Sequence, residues 1–124
     1  MQEDNRRAFT RIEIGLPVDL QMEGGRVLHC LTRDLSYRGV FLITNESFAP
    51  GTPADLTVWL GRRGSGLGLR IFGTVTRQTP SGVGVQIEEI AYEAFEHLRQ
   101  LVAYNAPDPS VVDQEINRDL GLSG

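Results

Sequence analysis

The feature that most constrains this chain is the placement of apolar residues at every second position, repeated in short runs between residues 12 and 87. The first run has apolar side chains at positions 12, 14, 16, 18, 20 and 22. A period of two indicates a strand with one buried face. Pro17 within this run favours an edge strand or a bulge. Further strand patterns occur at 27–35, 39–44, 56–60, 69–75 and 83–87, with glycine- and proline-containing turns between them.

The periodicity changes near residue 90, where a helical pattern begins. Ala91, Phe95, Leu98 and Val102 are spaced to lie on one face of a helix. This spacing predicts a helix over 90–104 that covers the strands. Six short strands followed by one helix predict an all-β fold with a C-terminal helix, in which the strands form a closed or nearly closed six-stranded antiparallel barrel.

A chain of 124 residues is long enough for one hydrophobic core. We therefore expect three segments: a flexible, polar N-terminal arm over 1–11, the barrel with its helix over 12–104, and a linker with a short amphipathic tail over 105–124. The tail carries an apolar stripe of Val112, Ile116 and Leu120. It fits either a partner-binding helix or a frayed terminus.

Charge is unevenly distributed along the chain. All 12 basic residues are arginines, against 16 acidic residues, for a formal charge of −4 and a pI near 5.1. This balance argues against broad coating of DNA or of an anionic membrane. Residues 1–79 carry a net charge of +2 and residues 80–124 a net charge of −6. We therefore expect any anion to bind locally, within the first two thirds of the chain.

Several kinds of chemistry lack the residues they need. Cys30 is the single cysteine and there are two histidines, His29 and His97, so neither a disulfide nor a thiolate metal site is expected. Residues 61–68 form a glycine-rich loop without the final Gly-Lys-Ser/Thr of a phosphate-binding loop, which favours a hairpin connection. Without a spanning segment or a basic signal-peptide start, we expect a cytoplasmic protein with no membrane insertion.

Two motifs carry the most information about function. Arg6-Arg7-Ala8-Phe9-Thr10-Arg11 contains an R-x-x-x-R pair just before the first strand, and Asp34-Leu35-Ser36-Tyr37-Arg38-Gly39 lies between the second and third strands. Alone, the second motif fits a simple turn and the arginines fit solvated surface charges. Together, in this order within this strand pattern, they resemble the PilZ domain, the bacterial receptor family for cyclic di-GMP. The resemblance covers roughly residues 5–104 and implies a split barrel of the PilZ type.

The resemblance implies that the ligand contacts are Arg7, Arg11, Asp34, Ser36 and Gly39. Their chemistry suits this ligand, because a guanidinium binds a phosphate or the O6/N7 edge of guanine through paired hydrogen bonds. A carboxylate at Asp34 accepts from the N1–H and N2–H₂ donors of guanine. Tyr37 and Phe9 are aromatic residues within the motifs, whereas Trp59 is interpreted as a packing or rim residue.

The leading hypothesis is a non-enzymatic receptor that changes conformation on binding cyclic di-GMP and signals to a partner protein, without any other cofactor. Arg6 directly precedes the motif, and in the family an arginine there accompanies two ligands per site, so two ligands per chain are expected. The main alternative is a PilZ-like protein–protein interaction module with weak or no nucleotide binding. A small barrel for single-stranded nucleic acid is disfavoured by the acidic pI and few aromatics. An enzyme is disfavoured because no nucleophile–base pair, metal set or cofactor motif is present.

Overall fold

The computed structural model describes residues 10–106, together with residues 114 and 116. The described chain contains seven strands and one long helix. The strands are β1 (Ile12–Glu13), β2 (Pro17–Gln21), β3 (Val27–Leu35), β4 (Gly39–Ile43), β5 (Pro53–Leu60), β6 (Leu67–Thr79) and β7 (Gly82–Ile90), and the helix α1 spans Tyr92–Asn105.

The sheet closes on itself as a barrel. Its strand order is β1-β3-β2-β5-β6-β7-β4, and β4 also pairs with β3, which joins the two ends of the sheet. Every pairing is antiparallel. Six strands form the ring and β1 extends one edge of β3. The predicted fold, a six-stranded antiparallel barrel with a C-terminal helix, is confirmed.

The inward face of each strand supplies the core. The largest fully buried side chains include Leu35, Leu42 and Leu56 from three strands, and Leu69 and Ile71 from one face of β6. Leu98 and Val102 of α1 are buried against the same core. Alternation in the sequence therefore correctly identifies the buried positions of most strands.

The first predicted strand differs from the structure. The predicted run over 12–22 is divided into β1 and β2, because residues 14–16 turn toward Thr32 of β3. The Thr32 hydroxyl donates to the Ile14 carbonyl and accepts from the Leu16 amide. Pro17 then opens β2, where its missing N–H is tolerated. Since β2 lies between β3 and β5, the edge-strand interpretation of Pro17 is wrong.

Other element bounds shift more modestly. Pairing with neighbours extends β5, β6 and β7 beyond the predicted runs, and α1 begins at Tyr92 and ends at Asn105. The glycine-rich connection is a hairpin loop of residues 61–66 between β5 and β6. Ile116 is helical and only 4% exposed within the core cluster. Both interpretations of the tail stay predictions, because Val112 and Leu120 lie outside the described residues.

No helix in the described part of the chain has both the length and the apolar character required to cross a membrane.

Candidate functional site

The connection between β3 and β4 forms a tight, internally hydrogen-bonded turn. The Ser36 amide donates to the Gly39 carbonyl at 2.9 Å, and the Ser36 hydroxyl accepts from the amides of Arg38 and Gly39 at 3.2 and 3.1 Å. The Arg38 carbonyl in turn accepts from the Ile87 amide of β7 at 2.8 Å. Ser36 is 2% exposed. Its hydroxyl therefore organises this turn, which fixes the outer end of both strands.

A glycine is needed at position 39 because the backbone there lies close to β7. Its φ is not positive, but a Cβ at this position would lie 3.1 Å from the Val85 carbonyl oxygen. The absence of a side chain therefore allows the turn to approach β7 closely.

A β-bulge places Asp34 beside two arginines. The β3–β4 register passes from the pair Thr32–Leu42 to the pair Asp34–Phe41, leaving Arg33 as the extra residue. Asp34 is 5% exposed. Its two carboxylate oxygens accept from Arg11 Nη1 and Arg33 Nε, each at 2.8 Å. The bulge thus brings the side chains of Arg33 and Asp34 together, although consecutive residues of a regular strand face opposite sides.

The two arginines keep Asp34 ionised. Burial by itself raises the pKa of the Asp34 carboxyl, but the hydrogen bonds and positive charges of Arg11 and Arg33 outweigh burial and leave its pKa below the ordinary value of 3.8. Both arginine side chains are 47% exposed. The site is therefore a buried anion covered by two half-exposed cations, which are placed to exchange partners when an anionic ligand arrives.

A second cluster lies beside this site and consists of cationic side chains around a buried aromatic ring. Phe41 of β4 is 1% exposed, with the guanidinium carbon of Arg33 3.8 Å and that of Arg77 5.3 Å from its ring centroid. Gly82 and Gly84 of β7 leave the space that Phe41 and Arg77 occupy. Cation–π contacts of this kind hold guanidinium groups in place.

Part of this cluster borders a surface cavity of about 280 Å³. Its lining comes from the turn, from β4 and from the facing parts of β6 and β7, and includes Arg11, Ser36, Gly39, Phe41 and Arg77. The cavity combines cationic side chains with the polar side chains of Thr76 and Gln86. It therefore suits a ligand that carries both negative charge and hydrogen-bonding groups.

The structure brings together four of the six predicted ligand-binding residues: Arg11, Asp34, Ser36 and Gly39. Arg6 and Arg7 lie outside the described residues. Sequence reasoning did not select Arg33, Phe41 or Arg77. Arg33 stands next to the motif aspartate, but nothing in the sequence marks the bulge that turns it toward that carboxylate, and Arg77 is distant in sequence.

The remaining residues singled out from the sequence lie elsewhere. Asp19 joins two of them to Arg63 of the glycine-rich loop, with its carboxylate 2.7 Å from His29 Nδ1, 3.1 Å from Trp59 Nε1 and 2.8 Å from Arg63 Nε. This group anchors the hairpin loop of residues 61–66 to the barrel. Tyr37 is buried and contacts Phe95 of α1 edge-on, with ring centroids 6.1 Å apart.

Comparison with known proteins adds independent information. The structure is similar to the Bacillus subtilis inhibitor of motility (MotI/DgrA), with a TM-score of 0.64 and 21% identity over 98% of this chain and 53% of that one. It is also similar to the PilZ domain of CeSA from a cellulose-synthesizing bacterium, with a TM-score of 0.57 and 19% identity over 74% of this chain and 93% of that one. The Borreliella burgdorferi PlzA protein in complex with c-di-GMP aligns with a TM-score of 0.47 and 19% identity, over 79% of this chain and 36% of that one.

This chain spans about half the length of the motility inhibitor. The likenesses to the motility inhibitor and to the CeSA domain establish the fold. No curated protein matches the sequence. The sequence profile of the PilZ domain matches residues 5–104, which include both motifs and every strand of the barrel. The chain therefore belongs to the PilZ domain family.

Proposed function

We propose that this protein is a receptor for cyclic di-GMP. The observation that carries the proposal is the meeting of the two motifs: Arg11 of the first and Asp34 of the second are joined at 2.8 Å beside a cationic cavity. PilZ domains are binding and receptor modules, which supports a binding role over catalysis. In this proposal the chain is not an enzyme and requires no cofactor.

The ligand's chemistry matches the groups in this cavity. Cyclic di-GMP carries two phosphates and two guanines. Arg11 is half-exposed, and its guanidinium can exchange the Asp34 carboxylate for a phosphate or for the O6/N7 edge of guanine. Release of Arg11 frees a carboxylate oxygen of Asp34 to accept from guanine N1–H or N2–H₂. Ser36 and Gly39 hold the turn that positions this carboxylate.

Arg6 and Arg7 complete the proposed set of contacts. The R-x-x-x-R motif pairs Arg7 with Arg11, and Arg6 adds a third guanidinium. A self-intercalated dimer of cyclic di-GMP presents four phosphates and four guanines, so it needs more cationic groups than a single ligand. We therefore propose two ligands per chain, with a change toward one in Arg6→Leu. Calorimetry at saturation, with the active fraction verified, measures this ratio, and one ligand per unmodified chain contradicts it.

The proposed output is a conformational change that alters binding to a partner protein. The Bacillus subtilis neighbour is an inhibitor of motility, which is compatible with an effector role for this fold. Inside this chain, the turn carrying Asp34 and Ser36 also carries Tyr37, which contacts α1 through Phe95. A rearranged turn therefore has a direct mechanical connection to the helix.

Isothermal titration calorimetry with cyclic di-GMP tests the receptor proposal. We expect Arg11→Ala to weaken binding by about 1–3 kcal/mol, the range of a bidentate contact. Asp34→Ala should mainly reduce the preference for cyclic di-GMP over its adenine analogue, because the carboxylate recognises base donors. Arg70→Ala is the matched control, since Arg70 also forms a 2.8 Å ion pair, with Asp55, but lies outside the cavity.

The same titration separates the receptor from the second candidate function, a PilZ-type protein–protein module. If folded wild-type protein gives no binding heat with cyclic di-GMP, the result supports the protein–protein module and contradicts the receptor. Equal loss of guanine and adenine ligands in Asp34→Ala contradicts only the role given to that residue. Pull-down with and without ligand then identifies the partner.

A further inference from the structure

Arg77 differs from most described arginines of the barrel in having no ionic partner among residues 10–106, 114 and 116. Six other described arginines lie within 4.0 Å of a carboxylate oxygen: Arg11, Arg26, Arg33, Arg63, Arg70 and Arg99. No carboxylate in the described part of the chain pairs with Arg77. Its side chain is nevertheless exposed on the lining of the cavity that contains Arg11, Ser36 and Gly39.

The barrel surface holds this guanidinium in one place. Its carbon lies 5.3 Å from the ring centroid of the buried Phe41. Gly84 stands opposite Arg77 in the β6–β7 register, and a Cβ there would lie 3.2 Å from both Cγ and Nε of Arg77. An arginine placed over an aromatic ring and close to a glycine loses little further side-chain freedom when a ligand binds.

We infer that Arg77 is an additional ligand-binding residue and that its guanidinium stacks on a guanine base of the bound nucleotide. This inference rests on the proposed function and names a contact that neither motif contains. A planar guanidinium stacks on purine faces as well as on phenyl rings. The Arg77 guanidinium then lies between two π systems, the Phe41 ring on one side and a guanine base on the other. Arg11 and Asp34 remain available for the guanine edges and the phosphates of the nucleotide.

The contact between the Arg77 guanidinium and the Phe41 ring favours stacking over a simple phosphate contact. A guanidinium binds phosphate through the hydrogen-bond donors on its edge, and this contact gains nothing from an aromatic ring against its face. Arg77 has such a ring, Phe41, in contact with its guanidinium, in the space that Gly84 leaves open. The two ideas therefore differ in what they require: planarity for stacking, positive charge for a phosphate contact.

Two substitutions at Arg77 separate planarity from charge. Arg77→Lys keeps the charge and removes the planar group, whereas Arg77→Tyr keeps a planar group and removes the charge. Arg70→Ala is the matched control, because Arg70 lies on the same strand and over an aromatic ring, Phe72, at 5.0 Å, but outside the cavity. Cyclic di-GMP is titrated calorimetrically into each full-length variant, after thermal unfolding has shown that the variant is folded.

Stacking predicts that Arg77→Lys weakens binding at least about fivefold, the lower end of a base–side-chain stack, while Arg77→Tyr stays within about threefold of wild type. If Arg77→Lys binds cyclic di-GMP with wild-type affinity, the inference is overturned. Binding would then need only a positive charge at position 77, or no contact there at all. Losses in both variants also overturn it, since they indicate hydrogen bonding by the guanidinium edge. Absence of wild-type binding overturns the proposed function together with this inference, and so is distinct from a failure confined to Arg77.

Discussion

Gly82 is the position where one added methyl group most sharply tests the contact between β4 and β7 beneath the site. It opens β7 and pairs with Ile43 of β4. A Cβ on Gly82 would lie 2.0 Å from the Leu42 carbonyl oxygen and 2.9 Å from Cε2 of Phe41. The first overlap involves backbone in a strand paired on both sides, so no side-chain rotation relieves it.

The cost of Gly82→Ala follows from this geometry. Close carbon–oxygen contacts lie near about 3.3 Å, so β4 and β7 must separate locally by about 1 Å. Overpacking costs about 1–3 kcal/mol, and a backbone hydrogen bond stretched by the separation costs about 0.5–1.5 kcal/mol. We expect Gly82→Ala to lower the free energy of unfolding by about 2–4 kcal/mol, which in a domain of this size lowers Tm by roughly 8–20 °C.

Gly84→Ala is the matched control on the same strand. Its added Cβ would lie 3.2 Å from Cγ and Nε of Arg77 and 3.6 Å from Oγ1 of Thr76, and all three atoms belong to exposed side chains that can shift by a few tenths of an ångström without moving the backbone. The free energy of unfolding should then change by no more than about 0.5 kcal/mol. Urea unfolding followed by circular dichroism compares the two variants. Equal stability of Gly82→Ala and wild type, or a larger loss in Gly84→Ala, would refute the reasoning.

Three further predictions concern stability and reactivity. Asp34→Asn should lower the free energy of unfolding at pH 7 by about 1–2 kcal/mol. Because the folded-state pKa of Asp34 is lowered, its stabilisation is present above the ordinary value of 3.8 and disappears as the pH falls through the folded pKa, so the urea midpoints of variant and wild type should converge as the pH is lowered below 3.8. Phe95→Leu removes the edge-on contact with Tyr37 and should lower the free energy of unfolding by about 0.5–1.5 kcal/mol beyond the effect of lost burial. The control Tyr92→Leu, at a side chain 74% exposed, should leave the urea midpoint unchanged. Burial raises the pKa of the Cys30 thiol to about 11. A thiol-reactive dye at pH 8 should therefore label native protein about 100-fold more slowly than protein unfolded in urea. Equal labelling rates would contradict the burial of Cys30.

Much of the barrel could be predicted because its strands have one buried and one outer face. The predicted strand over 27–35 coincides with β3, and Leu98 and Val102 lie on the buried face of α1 as their spacing predicts. The break between β1 and β2 could not be predicted. It depends on the Thr32 hydroxyl from a different strand, which bonds to both Ile14 and Leu16 and so replaces regular ladder pairing there.

The Asp34–Arg11 half of the site could be anticipated from motif spacing, whereas the Arg33–Phe41–Arg77 half could not. In a regular strand Arg33 and Asp34 would point to opposite faces. Only the bulge brings both side chains together, and it is visible only once β3 is paired with β4. Arg77 of β6 joins them because β7 alone separates β6 from β4 and because Gly84 of β7 leaves room for the Arg77 side chain to reach Phe41. The motif residues therefore specify the charged pair, while the β3–β4 bulge and the order of the strands determine which further cations surround it.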